Sequence, residues 1–247
     1  MKVEAIKYDN NHQKFSIWGT LSWMFFLSIG VQLGVGIIFG VIIRAFGVEA
    51  TDIDLAFLRP SIMLLMVIVT LIISIPLIRK AALSPDKDFP FFFVAIRPIK
   101  QSTLVKVSIV GFSYYCLLWL CMELIGIETP QYMLDVKSQV NSILDLILLI
   151  ISICLITPVI EEIIFRGLIF SRFQLSKLGR VGAVCITSIF FSVIHFQYEP
   201  IIIVFVFTMG LLLGVVRYKT DNVIYCIILH VIFNSLSAYE LFFYFKS

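Results

Sequence analysis

Thr157-Pro158-Val159-Ile160-Glu161-Glu162-Ile163-Ile164-Phe165-Arg166-Gly167 sets two adjacent carboxylates and an arginine inside a segment otherwise as apolar as lipid. From Leu144 to Phe170 the other ionisable groups are Asp145, at the edge, and the Cys154 thiol. A central Asp, Lys or Arg costs about 2.5–3.5 kcal/mol on an insertion scale, and an ionised Glu belongs in the same range. Such groups persist in lipid where they face a protein interior or a wet cavity and find partners. Helical spacing supplies one partner, because Glu162 and Arg166 are i, i+4 in the favourable order. Glu161 is rotated from Glu162 by about 100°, which predicts that it points elsewhere and stays uncommitted. A structural ion cluster pinning helices together is one reading of the set. A functional site is the other, and the unpaired intramembrane carboxylate favours it.

Working outward, the chain of 247 residues is 60% hydrophobic and 14% charged, against about 25% charged in a soluble domain. Mean hydropathy is +1.02. The fold class is therefore all-α, a polytopic membrane protein with its site inside a helix bundle. A net charge of +3 is too small to argue for nucleic acid as a partner. The five cysteines (Cys116, Cys121, Cys154, Cys185, Cys226) all lie in apolar runs and show neither a disulfide framework nor zinc spacing. Met1 to Phe15 is polar and mixed in charge, without the short basic start and cleavage site of a signal peptide. The first span is expected to be retained.

Runs long enough to span, about 17–25 residues, are Ile17–Ile43, Ser61–Ile78, Thr103–Ile125, Ile143–Phe170, Val181–Phe196, Ile201–Val216 and Asn222–Phe245. That makes seven helices, or eight with a break in the last run. The turn Gln197–Pro200 can sit within the interface. Phe89–Ile96 is too short to span and reads as interfacial, with a re-entrant piece as the alternative. Thirteen Lys and Arg fall before span one and between spans two and three, four and five, and six and seven; four fall on the other side. The positive-inside rule then puts the N-terminus in the cytoplasm. Three units follow: a cytoplasmic segment 1–16, membrane spans over 17–142, and a catalytic membrane core over 143–247. In span one, Gly30/Gly34 and Gly36/Gly40 predict close helix packing. Pro158, inside span four, predicts a kink one turn before Glu161.

Of the three histidines, His12 is in the polar N-terminus and reads as solvated. His195 closes Phe191-Ser192-Val193-Ile194-His195, and His230 opens His230-Val231-Ile232-Phe233-Asn234. At about 1.5 Å per residue, Glu161, His195, His230 and Asn234 lie roughly 16, 21, 12 and 18 Å from the basic side. Four polar side chains from three helices can therefore meet in one layer. A carboxylate, two imidazoles and an amide are equipment for activating water and stabilising an oxyanion. Ser192 and Ser235 are the nearby hydroxyls that could serve a nucleophilic alternative.

These blocks resemble the CAAX protease and bacteriocin-processing (CPBP, or Abi) family, whose eukaryotic members are type II CAAX prenyl endopeptidases. Its EExxxR is here Glu161 to Arg166, its FxxxH is Phe191 to His195, and its HxxxN is His230 to Asn234. The Gly210-Leu211-Leu212-Leu213-Gly214 lead-in also fits. The resemblance covers Thr157 to Ser235. It implies an intramembrane endopeptidase in which Glu161 activates water, His195 holds or polarises it, and His230 and Asn234 stabilise the oxyanion. Glu162 and Arg166 would be architectural. No cofactor is certain. A divalent metal, zinc, is the open alternative, with His195 and His230 as its ligands.

The expected setting is a bacterial plasma membrane, which the richness in Ile and Phe, typical of AT-rich genomes, also suits. The partners are lipid and a peptide or membrane-protein substrate. Family analogy points to peptide maturation or to bacteriocin processing or immunity. A non-catalytic immunity or scaffold protein of the same fold is the first rival. A proton-coupled transporter, which also buries Glu and His, is the second.

Overall fold

The computed structural model describes residues 16–49, 52–82 and 95–244. The described residues hold nine helices and no strand: α1 Ile17–Ala45, α2 Ile53–Phe57, α3 Pro60–Ala82, α4 Gln101–Ile125, α5 Gln131–Ser138, α6 Ile143–Gln174, α7 Gly179–Val193, α8 Pro200–Thr220 and α9 Val223–Phe243. Six of them (α1, α3, α4, α6, α8 and α9) are long and apolar enough to cross a membrane, and α7 is a shorter apolar helix. The bundle keeps large apolar side chains such as Ile37, Ile72, Leu117 and Leu144 on its outside, where lipid would meet them. This is a polytopic helical membrane protein. The expected segment 1–16 lies outside the described residues except for Ser16, and so does the interfacial stretch up to Val94.

One end of the bundle is tied by basic residues. Arg172 Nε donates to Thr20 Oγ1 at 3.2 Å, and its Nη1 donates to Ala81 O at 2.7 Å. These bonds join the end of α6 to the start of α1 and the end of α3. The end of α8 carries Asp221, which pairs with Arg97 at 2.6 Å and Arg217 at 2.7 Å. Tyr225 of α9 accepts from Lys100 N at 2.7 Å, at the start of α4. At the opposite end Gln131 N donates to Glu199 Oε1 at 3.3 Å, and Tyr132 meets Tyr198 edge-on at 5.5 Å. The alternation of ends expected from the Lys and Arg positions is thus built into the packing.

Helix α6 starts on a cap in which Ser142 Oγ accepts from Asp145 N at 3.1 Å while Asp145 Oδ2 accepts from Asn141 N at 3.2 Å. It then contains two π-helical segments, Ile150–Ile156 and Ile163–Ile169. Between them lies a regular α stretch, Thr157–Glu162, with Pro158 in its first turn. Pro158 thus lies inside the continuous helix without ending it, and its missing N–H falls where the first π segment gives way to α helix. Pro76 likewise sits inside α3 without ending it. The expected fifth span ends earlier than its apolar run. Fifteen residues of α helix reach about 22 Å, less than the roughly 30 Å hydrocarbon core. His195 therefore lies in the turn after α7 and not within a spanning helix.

Glycine achieves close packing at other places than the α1 stripe. A Cβ on Gly34 or Gly36 would meet nothing within 4 Å. A Cβ on Gly210 would meet the Ser188 backbone at 3.3 Å and Arg166 Nη2 at 3.4 Å, and one on Gly214 would meet Val184 at 3.0 Å. Gly210 and Gly214 let α8 lie against α7. Gly210→Val should therefore overpack this contact and destabilise the protein by about 1–3 kcal/mol. Gly36→Val should melt like the unaltered protein. Thermal unfolding in detergent checks both, and equal melting of the two variants would refute this account of the contact.

Candidate active site

The site is built on Arg166, which is fully buried. Its Nη1 donates to Glu162 Oε1 at 3.0 Å, the i, i+4 pair expected from the sequence. Its Nη2 donates to Gly210 O at 3.1 Å, the carbonyl that the missing side chain exposes. Its guanidinium lies 4.4 Å over the Phe191 ring, an arrangement that favours a cation. Its own carbonyl accepts from Arg217 Nε at 2.8 Å, and Arg217 is also buried. The α6–α7–α8 junction is thus fixed by one ion and its contacts.

Glu162 then reaches a fourth helix. His230 Nδ1 lies 2.9 Å from the same Oε1 that Arg166 holds. A carboxylate paired to a guanidinium only accepts, so Nδ1 carries the hydrogen. That leaves Nε2 as the ring nitrogen turned to the other carboxylate. Nε2 is 3.7 Å from Glu161 Oε2. Glu161 is therefore not uncommitted, as its 100° rotation suggested. Both carboxylates meet one imidazole, Glu162 on Nδ1 and Glu161 on Nε2. The Glu161 side chain keeps 12% of its surface accessible, while Glu162 keeps none.

His195 follows the same pattern. Its Nδ1 is 2.6 Å from Phe191 O, a carbonyl that only accepts, so this hydrogen also sits on Nδ1. Its ring lies 4.8 Å from the Phe191 ring, and His230 meets that ring edge-on at 5.6 Å. Phe191 is the common platform for Arg166, His195 and His230. Asn234 donates through Nδ2 to Ile153 O at 2.8 Å, within the first π segment.

Glu161, His195, His230 and Asn234 all line one cavity of about 590 Å³. Its wall continues through Thr157, Tyr114, Tyr132 and Tyr198. The tyrosines are residues that reading the sequence missed, since nothing in their spacing links them to the histidines. Burial pushes the Tyr132 and Tyr198 hydroxyls up from their ordinary range, with Tyr132 and Glu161 adding to the effect on Tyr198. Both are neutral and able to donate hydrogen bonds. Ser192 does not line the cavity, and its hydroxyl is bonded to Ile189 O at 2.8 Å. Ser235 does not line it either.

The free Nε2 of each histidine has the tautomer a metal ligand needs. A metal also needs a converging third donor, and among the described residues no three His, Cys, Asp or Glu side chains converge to hold an ion. The arrangement does not fit the zinc site considered for His195 and His230, and no step below is routed through a metal.

Residues 143–236 match a family model described as type II CAAX prenyl endopeptidase Rce1-like, a domain of the CAAX protease (CPBP) family. The match spans every side chain of the Glu161–Asn234 set. No curated protein and no solved structure matches the chain.

Arg166→Ala should cost folded protein as well as activity, because it strands the Glu162 charge in a dry site. Breaking a buried pair by removing one partner costs about 3–5 kcal/mol. Unfolding in detergent measures it. A variant that inserts and melts unchanged would show Arg166 to be dispensable to the fold.

Proposed function

We propose that this chain is an intramembrane endopeptidase that hydrolyses a peptide bond of a membrane-associated peptide or protein, with Glu161 as general base. The observation that supports it most is the approach of Glu161 to within 3.7 Å of His230 Nε2 on the wall of the shared cavity. Residues 143–247 supply these groups, and residues 17–142 supply part of the cavity wall. A matched family described as endopeptidase supports the reaction class. Lys and Arg positions support an orientation with the N-terminus inside, and the richness in Ile and Phe suits a bacterial plasma membrane.

In this reading a water molecule lies between Glu161 and the scissile carbonyl. Glu161 takes its proton as the oxygen attacks the carbonyl carbon. The carbonyl π electrons move to oxygen, giving a tetrahedral oxyanion. Glu161 then returns the proton to the leaving nitrogen as the C–N bond breaks. His195, held by Phe191 O, orients the water through Nε2. His230, held by Glu162, positions the Glu161 carboxylate and carries part of the proton traffic through Nε2. Tyr198, a neutral donor on the cavity wall, joins Asn234 in offering hydrogen bonds to the oxyanion. Asn234 has one amide hydrogen committed to Ile153 O, so it contributes through the other.

The variants separate these roles. Glu161→Gln should keep the fold and lose about 10²–10⁴ in rate, the contribution of a positioned base. His195→Ala should lose at least as much. His230→Ala and Asn234→Ala should be milder, about 10²–10³. Activity should persist in protein stripped of divalent metal. Peptide cleavage followed by mass spectrometry, with metal content measured on the same samples, checks the set. Proteolysis retained in Glu161→Gln removes Glu161 as the base. One equivalent of zinc lost in His195→Ala would replace this mechanism by a metal-assisted one.

A further inference from the structure

The cavity wall carries four carboxylates, Glu123, Glu128, Glu161 and Glu240, and among the described residues no Lys or Arg. Glu123 ends α4, Glu128 follows it, and Glu240 lies in the last turn of α9. All three belong to the end of the bundle where Glu199 holds Gln131 N. The charge of that whole end agrees. Its described loops and helix ends hold nine acidic residues and three basic ones (Arg44, Arg59 and Lys137). The opposite end holds nine basic residues and one acidic one, Asp221. Under the positive-inside rule the acidic end, with the cavity beside it, lies away from the cytoplasm.

The rest of the wall is apolar and aromatic, with Met63, Met66, Trp119, Tyr132, Tyr198 and Phe205. Low-dielectric walls focus the field of charges set among them and raise the local concentration of the opposite charge. Aromatic faces add attraction for cations. His230, 2% exposed, turns Nε2 to Glu161 within the same space. A peptide bearing acidic side chains, or ending its reactive segment in a carboxylate, would meet like charge on the wall.

We infer that the substrate of this cavity is a cationic peptide segment, rich in Lys or Arg and flanked by apolar side chains, entering from the acidic, non-cytoplasmic end. The inference rests on the endopeptidase reading for what happens after binding, and on the wall itself for what binds. Glu123 and Glu128 are exposed at the rim and draw in the basic side chains. The apolar and aromatic wall takes the flanking residues, and a bond between them comes to Glu161.

Binding is separated from cleavage by using the full chain with Glu161→Gln in phosphatidylcholine nanodiscs, with empty nanodiscs as the blank. Two fluorescent peptides share length and apolar residues, one with four lysines and the other with four glutamates. Anisotropy should show the lysine peptide binding at least about tenfold tighter at low salt, with the gap narrowing as salt is raised. The triple substitution Glu123→Gln, Glu128→Gln, Glu240→Gln should remove most of that preference. Equal binding of the two peptides overturns the inference, and so does a preference that survives the triple substitution. Cleavage by protein with Glu161 intact is read in parallel. A charge preference without any cleavage overturns the endopeptidase reading and supports the binding inference alone.

Discussion

A guanidinium sealed from solvent governs this structure. Arg166 is inaccessible, and so is the Glu162 carboxylate it holds. An ion in such a place needs partners from more than its own helix, and it takes Gly210 O of α8 and the Phe191 face of α7, while Arg217 of α8 holds the Arg166 backbone carbonyl. Glu162 extends the set to α9 through His230. A buried pair of this kind adds little net stability, because desolvation offsets most of the attraction. Its consequence is specificity. Helices that slide in lipid with little preference are held at one register, since any other would strand a charge.

That register determines the chemistry. Glu162 fixes which nitrogen of His230 carries hydrogen, and the other nitrogen faces Glu161. The two neighbouring carboxylates thereby have different surroundings. Glu162 is sealed off, whereas Glu161 touches the cavity. The π segments on either side of the pair belong to the same arrangement. Each inserts an extra residue per turn and shifts the faces that follow. One carries Ile153, whose carbonyl takes Asn234, and the other carries Arg166.

Much of this could be read from the chain because ionisable residues in an apolar run are expensive and so conspicuous. Glu161, Glu162, Arg166, His195 and His230 were visible for that reason, Asn234 followed from its place four residues after His230, and the i, i+4 spacing named the Glu162–Arg166 bond. The partners of Glu161 and His230 were not visible, because they depend on the approach of α6 and α9, and local spacing carries no information on that. Likewise the Gly30 to Gly40 stripe looked like a packing face, while Gly210 and Gly214 provide the tight contact. A glycine shows only that close approach is allowed; the neighbouring helix decides whether it happens. Hydropathy also carried span five through His195, since a turn made of apolar residues looks like helix to any composition measure.

The central claim is that peptide hydrolysis occurs at Glu161 in the cavity shared with His195 and His230. The most direct measurement is an experimental structure of the Glu161→Gln variant holding an uncleaved substrate peptide. The account predicts the scissile carbonyl inside this cavity, with its carbon one water away from the residue 161 side chain and that water within about 3 Å of His195 Nε2. A peptide seated with its scissile bond elsewhere, or with that bond remote from residue 161, would contradict it.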